Sequence, residues 1–447
     1  MFCFHDPNRP ERDVLITGTG AVTSFGTNVD ETWRAICSGQ SAIRPLSAGD
    51  IDHFDQLRQM ASLPLWGAPV DLPALKTTLE CIPRPAHIPR SAYDAWQSEP
   101  LVTSVLVSAL QAVRDAQLPL DSLSPDRLGC VVGTSKQGLR SAELEAAAIH
   151  GGVEGPSDRW WHAFQADAPA RCVAGWLNAR GYVSCPVAAC ATGVVSLIQA
   201  ARAVHDGLCD VVLAGSADAS LRASVLASFH RLRVLAARNP AHPDAVRHCK
   251  PFDQHRDGFA IGEGAGCLVL ESRQHAERRG RTGVQLTAGG ILCDPTGITQ
   301  IQEDGGVVRE LLLRTLNAVP GPLRDRPVDF VNLHGTGTRT NDSAEALGTA
   351  ETMETLFPGV PLPLASGCKG AIGHLLGGAG SVESVITTLA IQSRQLPPTT
   401  GLCVTDPQFR LPFVPEGRSI DNPLQRALKL SLGFGGHLAC LLFDRTA

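Results

Sequence analysis

Short runs of Val, Leu and Ile alternate along the chain with longer Ala-rich segments in which apolar residues recur at helical spacing. The short runs predict buried β-strands, and the longer segments predict helices that cover them. Candidate strands begin at six places: Asp13, Leu128, Asp210, Gly266, Val328 and Ala427. This alternation predicts an α/β fold.

Two of the predicted helices start close to a residue that could take part in chemistry. Apolar residues recur at helical spacing over 194–204, shortly after Cys190, and a similar stripe covers 382–389, shortly after His374. A helix N-terminus offers free backbone N–H groups and a partial positive charge. Both residues therefore precede a position where negative charge is stabilised.

The length of the chain, 447 residues, indicates two fused domains or one large duplicated architecture. The basic stretch QHAERRGRTG could join two halves, and we expect them to cover 11–272 and 273–447. The formal net charge is −5 and no basic patch interleaved with aromatic residues is present, which argues against binding to nucleic acid or to anionic membranes.

Cysteine usage indicates the redox compartment. The fourteen cysteines show no CxxC pair, and the first residues, MFCFHDPNRPERD, contain no apolar secretory stretch. We expect a reducing cytoplasm in which most thiols are small core residues, rather than an extracellular disulfide scaffold. No apolar run approaches the roughly 18 residues of a membrane span, so no transmembrane helix is expected.

Cys190 lies among small residues in VAACATGVVSL, just before its helix. Small neighbours allow a thioester to approach, and the helix N-terminus favours a thiolate and offers N–H groups to an oxyanion. A buried structural thiol is the alternative, because cysteine prefers protein cores and Cys185 lies only five positions earlier. The residue taken alone leaves both interpretations open.

The stretch VDFVNLHGTGTRTNDSAEALGT carries His334 from a strand into a turn that contains Thr336 and Thr338. Such a turn can hold an imidazole at a strand end and offer hydroxyl groups to a polar ligand. Glu345 follows near the start of the next helix, where helix capping and a functional role both account for its charge.

A third stretch, LASGCKGAIGHLLGGAGSVESV, places Lys369 and His374 on a glycine-rich loop before a helix. One loop histidine is most often a packing residue, but a cysteine, two histidines and a lysine at strand-to-helix junctions together indicate a reactive site. The glycines around Phe434 in LSLGFGGHLA indicate either a mobile lid or a hairpin with a core aromatic ring.

Six ordered stretches resemble the β-ketoacyl synthases, in particular the elongating type with a Cys-His-His centre: DVLITGTGAVTSFGTNVDETW, ACATG, PFDQHRDGFAIGEGAG, NLHGTGTRTND, KGAIGHLLGGAGSVE and GFGG. The resemblance implies the thiolase-like fold, with two related α/β halves in five αβαβα layers. It also implies decarboxylative condensation of a Cys-bound acyl group with malonyl-acyl carrier protein, in fatty-acid or in polyketide or polyene synthesis.

The same resemblance implies roles for single residues. Cys190 is expected to accept the acyl group, and the backbone N–H groups of Cys190 and Phe434 to form an oxyanion hole. His334 and His374 are expected to assist decarboxylation by stabilising the enolate through their Nε atoms. No metal and no tightly bound cofactor are implied.

Four further residues receive supporting roles from the resemblance. Lys369 and Glu345 are expected to position the histidines and to tune their protonation. Thr336 and Thr338 are expected to contact the phosphopantetheine arm of the acyl carrier protein, which is the implied partner. The implied assembly is a homodimer, with a heterodimer of related subunits as the alternative.

Some positions depart from the family pattern. Leu430, His437 and Leu438 stand where polar residues usually brace the GFGG loop. Lys136 stands where a small or apolar residue often lines the deep acyl pocket. It could shorten the pocket, accept a polar acyl end, or simply face solvent.

Two other activities and one docking surface complete these expectations. A thiolase needs a second reactive cysteine in an open setting, which Cys440, inside a predicted strand, does not provide. A non-catalytic chain-length subunit generally lacks the nucleophile. Arg231, Arg233 and Arg238 could contact an acidic carrier protein, or could be ordinary solvated residues.

Overall fold

Strands and helices alternate over most of the chain, as the apolar pattern predicts. The computed structural model describes residues 1–51, 54–59, 65–152, 157, 160–236 and 249–446. The α-helices of these residues, α1 to α14 in chain order, are Val29–Cys37, Phe54–Arg58, Leu72–Glu80, Arg90–Ser98, Pro100–Asp115, Leu139–His150, Ala168–Leu177, Thr192–His205, Ala223–Arg231, Arg273–Arg278, Gly306–Asn317, Arg339–Leu356, Lys369–Ile372 and Ala379–Ser393.

The strands include a counterpart for each of the six candidates. In chain order, β1 to β16 are Phe2–Cys3, Val14–Val22, Arg44–Pro45, Trp66–Ala68, Leu128–Thr134, Val183–Ser184, Val211–Asp218, Ile261–Gly262, Gly264–Ser272, Val284–Cys293, Phe330–Asn332, Leu364–Ser366, Gln395–Leu396, Ile420–Asp421, Arg426–Gly433 and His437–Arg445.

Two sets of five strands share one topology. The first set runs β2-β9-β7-β5-β6 and the second runs β10-β16-β15-β11-β12. In each set the last strand in the chain, β9 or β16, is antiparallel to both of its neighbours, whereas the other pairs are parallel. The sets meet where Val284–Cys293 pairs with Val14–Val22 over three residues.

Helices cover both sheets and fill the space between them. In the first half, α5 and α7 form an outer layer, and α11 and α12 do the same in the second half. Between the sheets, α8 and α14 pack on each other and touch strands of both halves. The layers therefore follow the order α, β, α, β, α.

The central helix α14 is buried on nearly every side, although four of its buried residues carry hydroxyl groups. Ser384 and Thr388 each donate to the carbonyl four residues earlier, at 2.7 and 2.9 Å. These local hydrogen bonds satisfy the hydroxyl groups without water. The helix can therefore lie between two sheets despite its polar residues.

Candidate active site

Cys190 sits in a tight turn that immediately precedes α8. The turn, Ala189–Ala191, begins with Ala189 in the left-handed region, at φ 47°. The end of β15 lies against it, because a Cβ on Gly433 would be only 3.0 Å from the backbone nitrogen of Cys190. The strand thus brings the loop of Phe434 to the Cys190 turn.

The thiol of Cys190 is buried, with 8% of the residue exposed. Burial raises the pKa of this thiol to about 11, while the nearby charges of Lys136 and Lys369 lower it and Asp218 raises it further. The backbone N–H of Phe434 donates to the sulfur and lowers the pKa as well. Burial therefore outweighs the contacts with Lys136, Lys369 and the Phe434 N–H that favour the thiolate.

His334 follows β11, where the chain leaves the sheet. Its backbone N–H, together with that of Gly335 at 2.8 Å, donates to the carboxylate of Glu345 instead of to a neighbouring strand. The Nδ1 atom lies 3.1 Å from Nζ of Lys369, which also donates to the carbonyl of His334. Since an ammonium has no lone pair, Nδ1 must accept, and the ring proton lies on Nε2.

His374 is held by backbone groups. Its own N–H donates to the carbonyl of Ala260 at 2.7 Å, and its ring packs edge-on against Phe259 with centroids 4.9 Å apart. The N–H of Leu376 donates to Nδ1 at 3.2 Å. This ring, too, therefore carries its proton on Nε2.

The two imidazoles and the thiol meet in one place. The ring centroids of His334 and His374 are 5.2 Å apart, and the Cys190 sulfur and one nitrogen of each ring lie within 4.8 Å of one another. Burial lowers the pKa of both histidines well below the usual value, and the charge of Lys369 lowers both further. Both rings are neutral Nε2–H donors at neutral pH.

The same three residues form, among those the structure describes, the group of side chains that could hold a metal ion. Thiolate and imidazole are ligands that Zn²⁺ accepts. The closeness of the three groups is equally what a nucleophile and two donors around one reacting carbon require. The expectation that no metal takes part stays a prediction.

A cavity of about 420 Å³ opens over this centre. Thr336 and Thr338 line it, and their hydroxyl oxygens are 2.8 Å apart. Phe434 and His437 line its other side, while Arg233 contributes an exposed guanidinium. The cavity thus joins the candidate catalytic groups to the hydroxyl groups predicted to contact substrate.

Lys136 lies near the centre without lining this cavity. Its Nζ donates to Ser135 at 2.6 Å and forms an ion pair with Asp218 at 3.3 Å. Asp218 is buried and also accepts the N–H of Gly377 at 3.1 Å. The ion pair therefore packs against the loop that carries His374.

The remaining predicted residues are distributed as follows. Leu430 and Leu438 are buried in the core of the second half. Arg231 is exposed at the end of α9, and Arg238 lies outside the described residues. Cys440 is buried in β16, where its thiol contacts Thr315.

Two buried charges at the site escaped the sequence analysis. Glu383 on α14 accepts from Nζ of Lys369 at 2.6 Å, and Lys429 on β15 lies 2.9 Å from the other carboxylate oxygen of Glu383. All three residues are fully buried. The available signal was a charged residue inside an otherwise apolar run, in SVESV and in ALKLSLG.

Family models match both halves of the chain. The β-ketoacyl synthase N-terminal domain matches residues 11–276, and the β-ketoacyl synthase C-terminal domain matches residues 289–402. The first match contains the Cys190 turn and the second contains both histidines, so each family domain carries part of the centre.

Whole-length relatives agree. The chain is 29% identical to 3-oxoacyl-[acyl-carrier-protein] synthase 2 of Synechocystis, over 98% of this chain and 99% of the relative. It is 31% identical to the mitochondrial 3-oxoacyl-[acyl-carrier-protein] synthase of Arabidopsis thaliana, over 97% of this chain and 93% of the relative.

The fold is shared with solved ketosynthases. A type II polyketide ketosynthase, solved bound to its acyl carrier protein and a hexaketide, superposes with a TM-score of 0.80 at 25% identity, covering 97% of this chain and 100% of its own. The prediction of a thiolase-like α/β fold is thereby confirmed. The chain belongs to the β-ketoacyl synthase family of carbon–carbon-bond-forming acyltransferases.

Proposed function

We propose that this β-ketoacyl synthase condenses a Cys190-bound acyl group with malonyl-acyl carrier protein, using His334 and His374 as neutral hydrogen-bond donors. The observation that carries this assignment is that both Nδ1 atoms already have a donor. Nδ1 of His334 lies 3.1 Å from Nζ of Lys369, and Nδ1 of His374 accepts from the Leu376 N–H at 3.2 Å. This leaves two Nε2–H groups beside one thiol, which is the arrangement an enolate oxygen needs.

The first half-reaction loads the enzyme. The sulfur of Cys190 attacks the thioester carbonyl of the incoming acyl carrier, the bond from carbon to the carrier sulfur breaks, and the leaving sulfur takes the thiol proton. The N–H groups of Cys190 and Phe434 would hold the oxyanion. The N–H of Phe434 already donates to the sulfur in the free enzyme, which supports this role.

The second half-reaction forms the new carbon–carbon bond. The carboxylate of the malonyl thioester leaves as carbon dioxide, and the electron pair moves into an enolate whose oxygen accepts from both Nε2–H groups. The enolate carbon attacks the acyl carbonyl, the bond to the Cys190 sulfur breaks, and the sulfur leaves with the bonding pair as a thiolate that takes a proton from water and restores the thiol. Because both imidazoles are neutral, they stabilise the enolate without transferring a full proton.

Lys369 and Glu345 serve this step as positioning residues. Lys369 fixes the tautomer of His334, and Glu345 holds the backbone of the turn through the N–H groups of His334 and Gly335. Burial raises the pKa of Glu345 to about 7, so its charge depends on the cations around it. Both residues act through His334.

The carrier protein and its arm form the second part of the proposal. Thr336 and Thr338 contact the phosphopantetheine arm, which is supported by their position on the cavity wall. Arg233 is exposed and lines the cavity, Arg231 is exposed at the end of α9, and both suit an acidic carrier surface. The solved ketosynthase bound to its own carrier protein makes such docking a natural expectation for this chain.

Lys136 is proposed to set acyl selection from behind the cavity, through its ion pair with Asp218. The paired charges next to the Cys190 turn disfavour a long apolar chain there. Measured turnover of hexanoyl and palmitoyl primers by wild type and Lys136→Ala tests this idea. The same ratio of hexanoyl to palmitoyl turnover in wild type and in Lys136→Ala would overturn it.

We propose that the protein is a homodimer in the cytoplasm. Each of its two chains consists of the halves 11–272 and 273–447. Strand β6 stands at the end of its sheet and presents Tyr182 and Val183 at 38% and 42% exposure, beside Val187 at 58%. An unpaired strand edge with apolar side chains suits pairing with another copy. Among the described residues, no helix is long and apolar enough to cross a membrane. Native mass spectrometry separates a homodimer from a monomer that awaits a related subunit.

Intact-protein mass spectrometry tests the central claim. Purified enzyme is incubated with a panel of acyl-loaded carrier proteins, alongside Cys190→Ala and the matched control Cys185→Ala. We expect one acyl group per chain on wild type and on Cys185→Ala, and none on Cys190→Ala. Acylation that persists in Cys190→Ala would refute the assignment, and the preferred acyl mass would separate fatty-acid from polyketide or polyene synthesis.

A further inference from the structure

Lys429 is a lysine buried at the centre of the fold. Burial lowers its pKa below the usual lysine value, while the neighbouring Glu383 opposes this shift and favours the ammonium form. Lys429 lies on β15 with no exposed surface, and its Nζ is 2.9 Å from a carboxylate oxygen of Glu383. The same Nζ donates to the carbonyls of Leu430 and, at 3.4 Å, Asn332. These partners account for a charge that would otherwise be very costly in a protein interior.

Glu383 is shared between two lysines. One carboxylate oxygen accepts from Lys369 at 2.6 Å and the other faces Lys429 at 2.9 Å. Lys369 donates its other two hydrogen bonds to the Nδ1 atom and to the carbonyl of His334. A continuous path of polar contacts therefore runs from Lys429 through Glu383 and Lys369 to the His334 ring.

We propose that Lys429 is a positioning residue for decarboxylation: it holds Glu383 from the side opposite Lys369, so that Lys369 stays against Nδ1 of His334 and the ring donates from Nε2. This assignment rests on the proposed function, because it concerns the step in which His334 stabilises the enolate. Its second effect is electrostatic, since a second buried cation behind the imidazole favours the neutral ring and the negative enolate.

The surrounding charges make this effect specific. Among the described residues, the titratable groups that contact His334 or act on its charge are Lys369, Lys429, His374, Glu345 and Cys190. Glu383 contacts the two lysines, and Asp342 accepts from the N–H groups of Thr336 and Gly337. After burial, the cations Lys369 and Lys429 and the neighbouring His374 lower the pKa of His334. Lys429 also lowers the pKa of Glu345 and so favours its charged form. Removing Lys429 therefore raises the pKa of both groups.

The test separates the two half-reactions in Lys429→Met, which keeps the length of the side chain and removes its charge. Carbon dioxide release from malonyl-acyl carrier protein reports decarboxylation, and mass spectrometry with hexanoyl-acyl carrier protein reports Cys190 loading. Losing an oxyanion donor outright costs roughly 10²–10³ in rate, so loosening one is expected to cost about 10- to 100-fold. Loading is expected to stay close to the wild-type rate.

A matched control comes from the same strand. Leu428 is also fully buried on β15, so Leu428→Ala perturbs packing without changing charge. We expect it to lower thermal stability while leaving the ratio of decarboxylation to loading unchanged. In Lys429→Met that ratio falls, and the acidic limb of the decarboxylation profile moves to higher pH, because the pKa of His334 rises.

A fall of equal size in loading and decarboxylation, or an unchanged pH profile, would overturn the role of Lys429. Should Lys429→Met fail to fold, Lys429→Met/Glu345→Gln removes one charge of each sign, and it is compared with Glu345→Gln alone: a further loss of decarboxylation relative to that single variant is expected, and equal rates would overturn the role of Lys429. Histidine ¹⁵N NMR of wild type measures the protonation state of His334 without any variant. We expect a neutral ring protonated on Nε2 at pH 6. An imidazolium signal from His334 at that pH contradicts the proposal. Wild-type enzyme that releases no carbon dioxide would instead contradict the proposed function.

Discussion

His334 and His374 meet in one cavity, but the chain fixes the proton of each ring by different means. Nδ1 of His334 accepts from the buried ammonium of Lys369, whereas Nδ1 of His374 accepts from the backbone N–H of Leu376. The first contact depends on a network of charges and the second on the shape of a turn. Two donors with the same tautomer should therefore respond to different perturbations.

The largest effect is expected when either ring is removed. His334→Ala and His374→Ala should each lower malonyl decarboxylation by about 10²–10³-fold, because each removes one donor to the enolate oxygen. Carbon dioxide release measures this step, and the mass of acyl-Cys190 measures loading, which should change little. If only one variant loses decarboxylation, the two rings do not share the enolate oxygen.

The next largest effect is expected from Lys369→Met, which removes the charged contact to Nδ1 of His334. His334 loses the donor that fixes its tautomer, so decarboxylation should fall by about 10- to 100-fold. Lys369 lowers the pKa of both histidines, so its removal raises both values and moves the acidic limb of the profile to higher pH. Rates measured from pH 5 to 9 test the shift.

A lysine outside the centre provides the control for this variant. Lys250 is only half-buried, and its Nζ donates to the carbonyl of His255 at 3.2 Å. Lys250→Met should leave the pH profile of decarboxylation in place. A profile for Lys369→Met with the wild-type shape would mean that the lysine does not set the state of His334.

Gly377→Ala tests the backbone contact from the Leu376 N–H to Nδ1 of His374. An added Cβ would lie 2.6 Å from the backbone nitrogen of Ser135, so the turn that carries the Leu376 N–H must shift. We expect a stability loss of about 1–3 kcal/mol by chemical denaturation and a roughly tenfold fall in decarboxylation. The pH profile should keep its shape, because no charge has changed.

Gly175→Ala is the matched control for added volume. A Cβ there would lie 3.7 Å from a methyl group of Ile88, which is an ordinary contact, and the residue is part of α7. Its stability should equal or slightly exceed that of wild type, since alanine favours helix. An unchanged stability in Gly377→Ala would show that the turn yields freely.

The comparison also shows how far the sequence predicts the site. The apolar runs locate all six candidate strands, and the motif order assembles Cys190, His334 and His374 in one cavity. The run from Val328 forms only a three-residue strand, Phe330–Asn332. It is short because the N–H groups that follow turn to the carboxylate of Glu345 rather than to a neighbouring strand.

What could not be predicted depends on contacts between distant elements. Glu383 and Lys429 come from a helix and a strand that are separated along the chain, and their pairing exists only in the packed core. The raised pKa of Cys190 likewise follows from burial, which the helix N-terminus alone does not indicate. The order and spacing of the motifs point to the candidate reactive groups but not to the charges behind them.

The smallest effect is expected from Lys136→Met, which sharpens the comparison because Lys136 acts on the His374 side. Its charge lowers the pKa of Cys190 and, together with the charges of Lys369 and Lys429, that of His374. The groups that lower the pKa of His334 are Lys369, His374 and Lys429. Removing Lys136 should raise the pKa of the thiol and slow its alkylation by iodoacetamide at pH 8 by roughly two- to fivefold. Asp218 raises the same pKa, so Lys136→Met/Asp218→Asn should recover most of the rate.

In wild type, alkylation should still be rising at pH 10, because the pKa of Cys190 is about 11. A plateau near pH 8 would show instead that the helix N-terminus prevails over burial at the nucleophile.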